Sequence, residues 1–291
     1  MKENDITLLS QPRIGPHDLG VRLADAIARD TGITNRELLD AFAAVPRERF
    51  LGPPPWLIAK GPIDGSGMAL VESSDVADVY ANVSVALDRE RMLFNGAPGV
   101  VAAWLDALKP RPGERAFHVG CGSGYYSAIL AELAGSVIAV DVDEALTDQA
   151  GEALAGVANV TILTADGTAF APAEYDVALV NAGISVIPEL WLERLNPGGR
   201  IVVPLAVPVA PFLSKAVVFL IEQAGAAAMI GGAIIYTAAG AVQSRLMDAF
   251  RGGDPHDVRS LRRDAHDEGP SCWLHEKRYC LSKDRLPLQR P

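Results

Sequence analysis

The sequence predicts an α/β fold, a central and mostly parallel seven-stranded sheet with helices on both faces. Three observations carry that prediction. Short apolar runs alternate with helical patterns from residue 115 to residue 204, as strands and their covering helices do. A glycine-rich turn, Gly120-Cys121-Gly122-Ser123-Gly124, separates the first apolar run from the next helix. Apolar residues make up 49% of 291 residues, enough for one large core with decorations.

The elements follow in order. Residues 17–32 and 35–45 have apolar side chains at helical spacing, and Thr34-Asn35-Arg36-Glu37 has the chemistry of a helix start. Residues 52–68, rich in proline and glycine, read as loop, and residues 69–95 fit no single pattern. Pro98 opens a helix that Lys109-Pro110 ends. Strands are expected at 115–119, 136–141, 160–164, 175–181 and 200–204, with helices at 125–133, 144–154 and 188–195. Residues 216–222 and 228–236 read as an antiparallel pair at the sheet edge, and 241–251 as a helix. The charged tail carries two apolar islands, Cys272-Trp273-Leu274 and Tyr279-Cys280-Leu281, and is expected to pack back onto the domain. The organisation expected is one domain over 1–240, with an N-terminal helical substrate-side segment (1–98), and a C-terminal helix and tail (241–291) on the same domain. That tail is read as a cap over the substrate side, a homodimer contact or a completion of the core.

Bulk chemistry narrows the function classes. A formal net charge of -10 repels phosphate backbones, so no nucleic-acid partner is expected. The apolar stretch 201–236 is broken by prolines, Lys215 and Glu222, short of the ~18 uninterrupted apolar residues a membrane span needs. No apolar signal core stands in the first fifteen residues. With three irregularly spaced cysteines, a cytoplasmic, reduced protein is expected. No CxxC or HExxH pattern occurs, and His256, His266 and His275 look scattered on a charged surface, so no metal is assigned.

The chemistry begins at the glycine turn. Glycines let a ligand approach the backbone, and the helix that follows offers free amides to an anion. Asp141 ends the next strand, where an acid accepts hydrogen bonds from both hydroxyls of a ribose. A glycine loop with a distal acid also fits a dinucleotide enzyme, although this loop lacks the G-x-G-x-x-G spacing. Further stations follow at Ala165-Asp166-Gly167, Asp176 and Asn196-Pro197-Gly198-Gly199-Arg200. His118 lies inside a strand and reads as a packed histidine, and Cys121 as a small residue tolerating close packing.

These stations, in this order, resemble those of Rossmann-like S-adenosylmethionine-dependent methyltransferases. Val45-Pro46-Arg47-Glu48-Arg49-Phe50, the Gly-Ser-Gly-Tyr form at 122–125, Ile187-Pro188-Glu189-Leu190 and the run 195–204 narrow the resemblance to the protein-L-isoaspartate O-methyltransferase family, over about residues 35–205. The resemblance implies S-adenosyl-L-methionine as cofactor. It implies cofactor contacts from Val119, Gly120, Cys121, Gly122, Ser123, Gly124, Tyr125, Asp141, Val142, Asp166, Gly167 and Asn181. It also implies methylation of an isoaspartyl carboxylate in a peptide or protein. One departure stands out. The family carries a serine before Pro98, and Gly96 occupies that place, so Asn95 and Gly96 are the substrate-loop positions to examine. Asp88, Arg89 and Arg91 are weaker choices for the same pocket. The alternatives are a small-molecule methyltransferase, a non-catalytic S-adenosylmethionine-binding protein and, more weakly, an RNA base methyltransferase.

Overall fold

The computed structural model describes residues 15–61, 69–210, 213–236, 245–264 and 266–286. Two helices open it, α1 (Pro16–Thr31) and α2 (Arg36–Ala44). Asn35 caps α2, its Oδ1 accepting from the Leu38 amide at 3.3 Å, as the Thr-Asn-Arg-Glu start predicts.

The next stretch corrects two expectations. Residues 56–60 are not loop: β1 (Trp56–Lys60) pairs with β2 (Ala69–Ser73) and with β3 (Ser84–Asp88). A short helix α3 (Val76–Val79) and strand β4 (Leu93–Asn95) complete a four-stranded antiparallel sheet in the order β2-β1-β3-β4. The segment before residue 98 is therefore half sheet, not helical throughout. Its strands are short, and β1 buries only Trp56 and Ile58, so the period of two is too brief to read beside flanking prolines and glycines. Residues 62–68 of the expected loop lie outside the described residues.

From residue 98 the elements follow the prediction closely: α4 (Pro98–Leu108), β5 (Arg115–Val119), α5 (Tyr125–Leu133), β6 (Ser136–Asp141), α6 (Glu144–Ala153), β7 (Val160–Thr164), β8 (Tyr175–Val180), α7 (Glu189–Arg194), β9 (Leu195–Ala210), β10 (Leu213–Glu222) and β11 (Ala227–Tyr236). The seven strands form one sheet in the order β11-β10-β9-β8-β5-β6-β7. β9 to β7 run parallel, and β10 and β11 add an antiparallel edge. Strand side chains alternate between two apolar layers. Ala116, Val177, Leu179 and Val202 face the layer that holds Leu23, Phe42 and Trp104. Phe117, Ala178, Ile201 and Val203 face the other, with Trp191 and Phe219. Asp176 and Arg200 tie the far end of the sheet together. Asp176 accepts from the Arg115 amide at 2.7 Å and from Asn196 at 2.6 Å. Arg200 pairs with Glu114 at 2.8 Å and reaches the carbonyls that end α4.

The tail holds α8 (Leu246–Gly252) and a three-stranded antiparallel sheet of β12 (Ser260–Arg262), β13 (Cys272–His275) and β14 (Cys280–Ser282). The first four residues of the expected helix 241–251 lie outside the described residues. Leu246, Leu261, Trp273, Leu274, Tyr279 and Leu281 share one apolar cluster with Phe117 and Phe219, so the two apolar islands do pack back onto the sheet. Among the described residues, no helix is long and apolar enough to cross a membrane.

The chain moves outward from β5 to β6 and β7, then returns to place β8 on the other side of β5. The loops leaving β5 and β8 therefore part company. In such sheets the crevice at the strands' carboxyl ends, where the order reverses, is where ligands bind.

Candidate active site

A cavity of about 490 Å³ opens at that crevice, within the roughly 300–1,000 Å³ usual for small-molecule sites. Val119, Gly120, Cys121, Gly122 and Ser123 line it from the β5 loop, Asp141 and Val142 from β6, Asp166 and Gly167 after β7, and Asn181 after β8. Ten of the expected cofactor residues thus meet in one wall. Gly124 and Tyr125 are the two corrections, since neither is in the lining. Gly124 has φ +90° and packs under Ala150 and Leu154, where a Cβ would come within 3.0 Å of each. It turns the chain into α5 rather than facing the cavity. Tyr125 is fully buried behind the wall, against Phe42, Phe50 and Tyr126.

The loop geometry rests on backbone chemistry. Gly120 has φ +73°, and a Cβ there would approach Ala182 Cβ to 3.1 Å. Gly167 is glycine for a packing reason: a Cβ would fall 2.5 Å from Val119 Cγ1. Asp141 binds the loop directly, its Oδ2 accepting from the Gly122 amide at 2.8 Å and its Oδ1 from the Asp143 amide at 3.1 Å. Burial raises the Asp141 carboxyl above its ordinary pKa against the pull of those amides. Asp166 is held by Thr168, whose amide and hydroxyl donate to Oδ1 at 2.8 and 2.7 Å.

The rest of the lining comes from β3, β4, the turn between them and β11: Leu87, Arg91, Leu93, Phe94, Asn95 and Tyr236. Asn95 is buried, and its Nδ2 has no partner among the described residues. A buried amide donor without an acceptor carries a desolvation cost that a ligand oxygen would relieve. Gly96, expected beside it, is not in the lining. Its carbonyl accepts from the Tyr126 hydroxyl at 2.7 Å, and a Cβ added to it would meet nothing within 4 Å. Of the weaker choices, only Arg91 reaches the cavity, bridging Asp88 at 2.6 Å and Asp143 at 2.5 Å. Arg89 is turned to Glu72 and the Pro55 carbonyl, away from the site. Tyr236, unanticipated from sequence, has its phenol raised by burial to about 12.

A second residue missed by sequence reasoning is Arg47. It is fully buried and donates to the carbonyls of Val79 and Val83, each at 2.7 Å, and of Ala81 at 3.1 Å. It also stands over the Tyr125 ring, 5.6 Å from its centre. One guanidinium thus fixes the approach to β3. Its signal was the Val-Pro-Arg-Glu-Arg-Phe segment, which gave no hint of what the arginine holds.

Two groups drop out of the chemistry. His118 is buried and bonded to Ser127 Oγ at 2.8 Å, with its pKa lowered by burial to about 3, so it stays neutral. Burial pushes the Cys121 thiol far above its usual range, and Asp141 adds to the effect, which leaves it protonated and unreactive.

The comparisons with known proteins decide the family. The model of the protein-L-isoaspartate(D-aspartate) O-methyltransferase family matches residues 71–220. The chain belongs to that family. A protein-L-isoaspartate O-methyltransferase of Methanoregula boonei is 34% identical over 188 residues, 63% of this chain and 76% of the relative. One from Aeropyrum pernix is 34% identical over 198 residues, 65% of this chain and 67% of the relative. Among solved structures, a protein-L-isoaspartate O-methyltransferase superposes with a TM-score of 0.62 at 22% identity, over 80% of this chain and 70% of that one. A Plasmodium falciparum structure assigned to the same activity, bound to S-adenosyl-L-homocysteine, gives 0.55 at 16% identity, over 75% and 97%. At those identities the structures speak for the fold, which is the Rossmann-like methyltransferase fold. The family model covers β2 through most of β10, including both walls except Tyr236, and stops short of the tail sheet.

Proposed function

We propose that the chain is an S-adenosylmethionine-dependent carboxyl O-methyltransferase acting on an isoaspartyl carboxylate in a peptide or protein. Family membership supports the reaction. The observation that carries the acceptor chemistry is the buried Nδ2 of Asn95, which lines the same cavity as the glycine loop and has no partner among the described residues. A carboxylate brings the oxygen that this donor lacks.

The cavity fits the cofactor on its own terms. Gly120 and Gly122 keep one wall bare for close approach, Asp141 sits where ribose hydroxyls would donate, and Asp166 stands at the end of β7 for the adenine. Ser123 Oγ, buried and without a partner among the described residues, adds a second orphaned group, this one in the glycine loop. S-adenosylmethionine, when bound, supplies a methyl group on a sulfonium with a neutral leaving group. The protein's own part is then positioning and exclusion of water. An acceptor carboxyl is ionised near neutral pH, so no general base is needed. The withdrawal of His118 and Cys121 from the chemistry agrees with that. Asn95 orients the acceptor, and Phe94, Leu87 and Tyr236 add apolar surface to the same cavity.

The test is transfer of labelled methyl from S-adenosylmethionine to an isoaspartyl peptide, followed by mild base. Label released as methanol is expected. Base-stable label, or label found only on small-molecule acceptors, would contradict the proposal.

A further inference from the structure

The scattered look of the tail histidines is corrected for two of the three. His266 and His275 come together with Cys272 and Cys280, and their ligand atoms all lie within 4.8 Å of one another. We propose that His266, Cys272, His275 and Cys280 form a tetrahedral zinc site that staples the C-terminal sheet.

The distances suit the metal. Cys272 Sγ lies 3.5 Å from His266 Nε2 and 3.7 Å from His275 Nδ1. With zinc–sulfur bonds of about 2.3 Å and zinc–nitrogen bonds of about 2.0–2.1 Å, a tetrahedron sets such a pair about 3.6 Å apart. The two imidazole rings stand at 90° to each other with centres 5.0 Å apart, so both nitrogens converge without the rings colliding. Two thiolates and two neutral imidazoles balance a divalent ion and are soft enough to favour zinc over magnesium or calcium.

The backbone is arranged for this set. Cys272 and His275 stand three apart on β13, an odd spacing that a regular strand would put on opposite faces. A bulge between Cys272 and Leu274 shifts the register by one residue, and His275 then pairs across from Cys280 on β14. The inserted residue brings both β13 ligands to one side, while Leu274 and Leu281 stay in the core. The fourth ligand is oriented from outside. His266 Nδ1 lies 2.9 Å from the Asp264 carbonyl, which fixes the tautomer and turns Nε2 toward the cluster. Histidine ligands of metals usually have such a partner on the other ring nitrogen.

Four protein ligands leave no open position, which marks a structural site and not a second catalytic centre. The sheet it closes has strands of three and four residues, too little to hold itself together unaided. Its Tyr279 hydroxyl accepts from the Ile187 amide at 3.1 Å, in the segment that leads away from Asn181 in the cavity wall. The staple therefore reaches the segment that follows that wall.

The experiment uses the tag-free full chain. Elemental analysis as purified is expected to give about one zinc per chain. After the zinc is stripped, cobalt should give a visible d–d spectrum of tetrahedral form with thiolate-to-metal charge transfer. Cys272→Ser, Cys280→Ser and His266→Asn should each lose the zinc, and His256→Asn should keep it. Wild-type chain that binds neither zinc nor cobalt would overturn the proposal whatever the variants do. So would chain isolated with a Cys272–Cys280 disulfide and no metal, or full zinc retention in His266→Asn and Cys272→Ser.

Discussion

The two walls of the cavity are built on different principles. The cofactor wall is local. Each of its stations is the end of a parallel strand and the turn after it, and the loop is held by its own amides and by Asp141 from the neighbouring strand. The acceptor wall is assembled from a distance. The segment leading into β3 hangs on Arg47, which reaches carbonyls from Val79 to Val83 and so ties residues more than thirty positions apart. A wall of the first kind keeps its shape when substrates change. A wall of the second kind can be rebuilt by altering one segment.

The largest effect that would sharpen this contrast is expected at Arg47. Arg47→Met removes a charged donor from three buried carbonyls. Hydrogen bonds to charged groups contribute about 1.5–3 kcal/mol each, so a loss of about 3 kcal/mol or more is expected in urea unfolding. S-adenosylmethionine affinity should suffer far less than peptide turnover in whatever fraction remains folded. Equal loss of both would show that the walls are not separate.

His118 comes next, and its effect depends on pH. The folded pKa of about 3 lies below the unfolded value of about 6.5. The unfolded chain therefore binds the extra proton first as pH falls. The stabilising contribution is full above 6.5 and is lost progressively from there down to about 3, at about 1.4 kcal/mol per pH unit. In His118→Gln that part of the acid slope should vanish, as read from unfolding midpoints at pH 7 and pH 5. An unchanged slope would mean that His118 is not held neutral.

Asp141→Ala should weaken S-adenosylmethionine binding by about 1–3 kcal/mol in calorimetry, through loss of the ribose hydrogen bonds and of the anchor on Gly122. Unchanged affinity would move the ribose elsewhere. The smallest effect on stability is expected for Gly96→Ser, because a Cβ there meets nothing within 4 Å. The change should stay within about 0.5 kcal/mol. Its interest is kinetic, since altered peptide turnover at constant cofactor affinity would confine the Gly96 departure to the acceptor side.

The same contrast explains what could be read from the sequence. β5 to β8 and the edge pair β10 and β11 were legible as short apolar runs bounded by turns or caps, whereas of β9 only 200–204 was, because Asn196-Pro197-Gly198-Gly199 reads as a turn, and the glycine loop and Asp141 follow from strand ends alone. The antiparallel sheet before residue 98 was not, because β2 buries none of its five residues and β4 buries one of three. Arg47 gave no sign of its role, since nothing in its neighbours points to Val79 or Val83. The tail cluster was hidden for a related reason. His266, Cys272, His275 and Cys280 have no familiar spacing, and they meet only once a bulge has set the register of β13 against β14. Gly124 and Tyr125 were expected at the cofactor from the family resemblance; neither lines the cavity, and the left-handed turn at Gly124 leads into α5.

The central claim is that Asn95 serves the acceptor and the glycine loop serves the cofactor. The direct measurement is Asn95→Ala, with S-adenosylmethionine affinity by calorimetry beside kcat/KM for an isoaspartyl peptide. Cofactor affinity within twofold of wild type is expected, with kcat/KM down by about tenfold, the equivalent of one hydrogen bond of about 1.4 kcal/mol. Unchanged kcat/KM, or a matching loss of cofactor affinity, would contradict it.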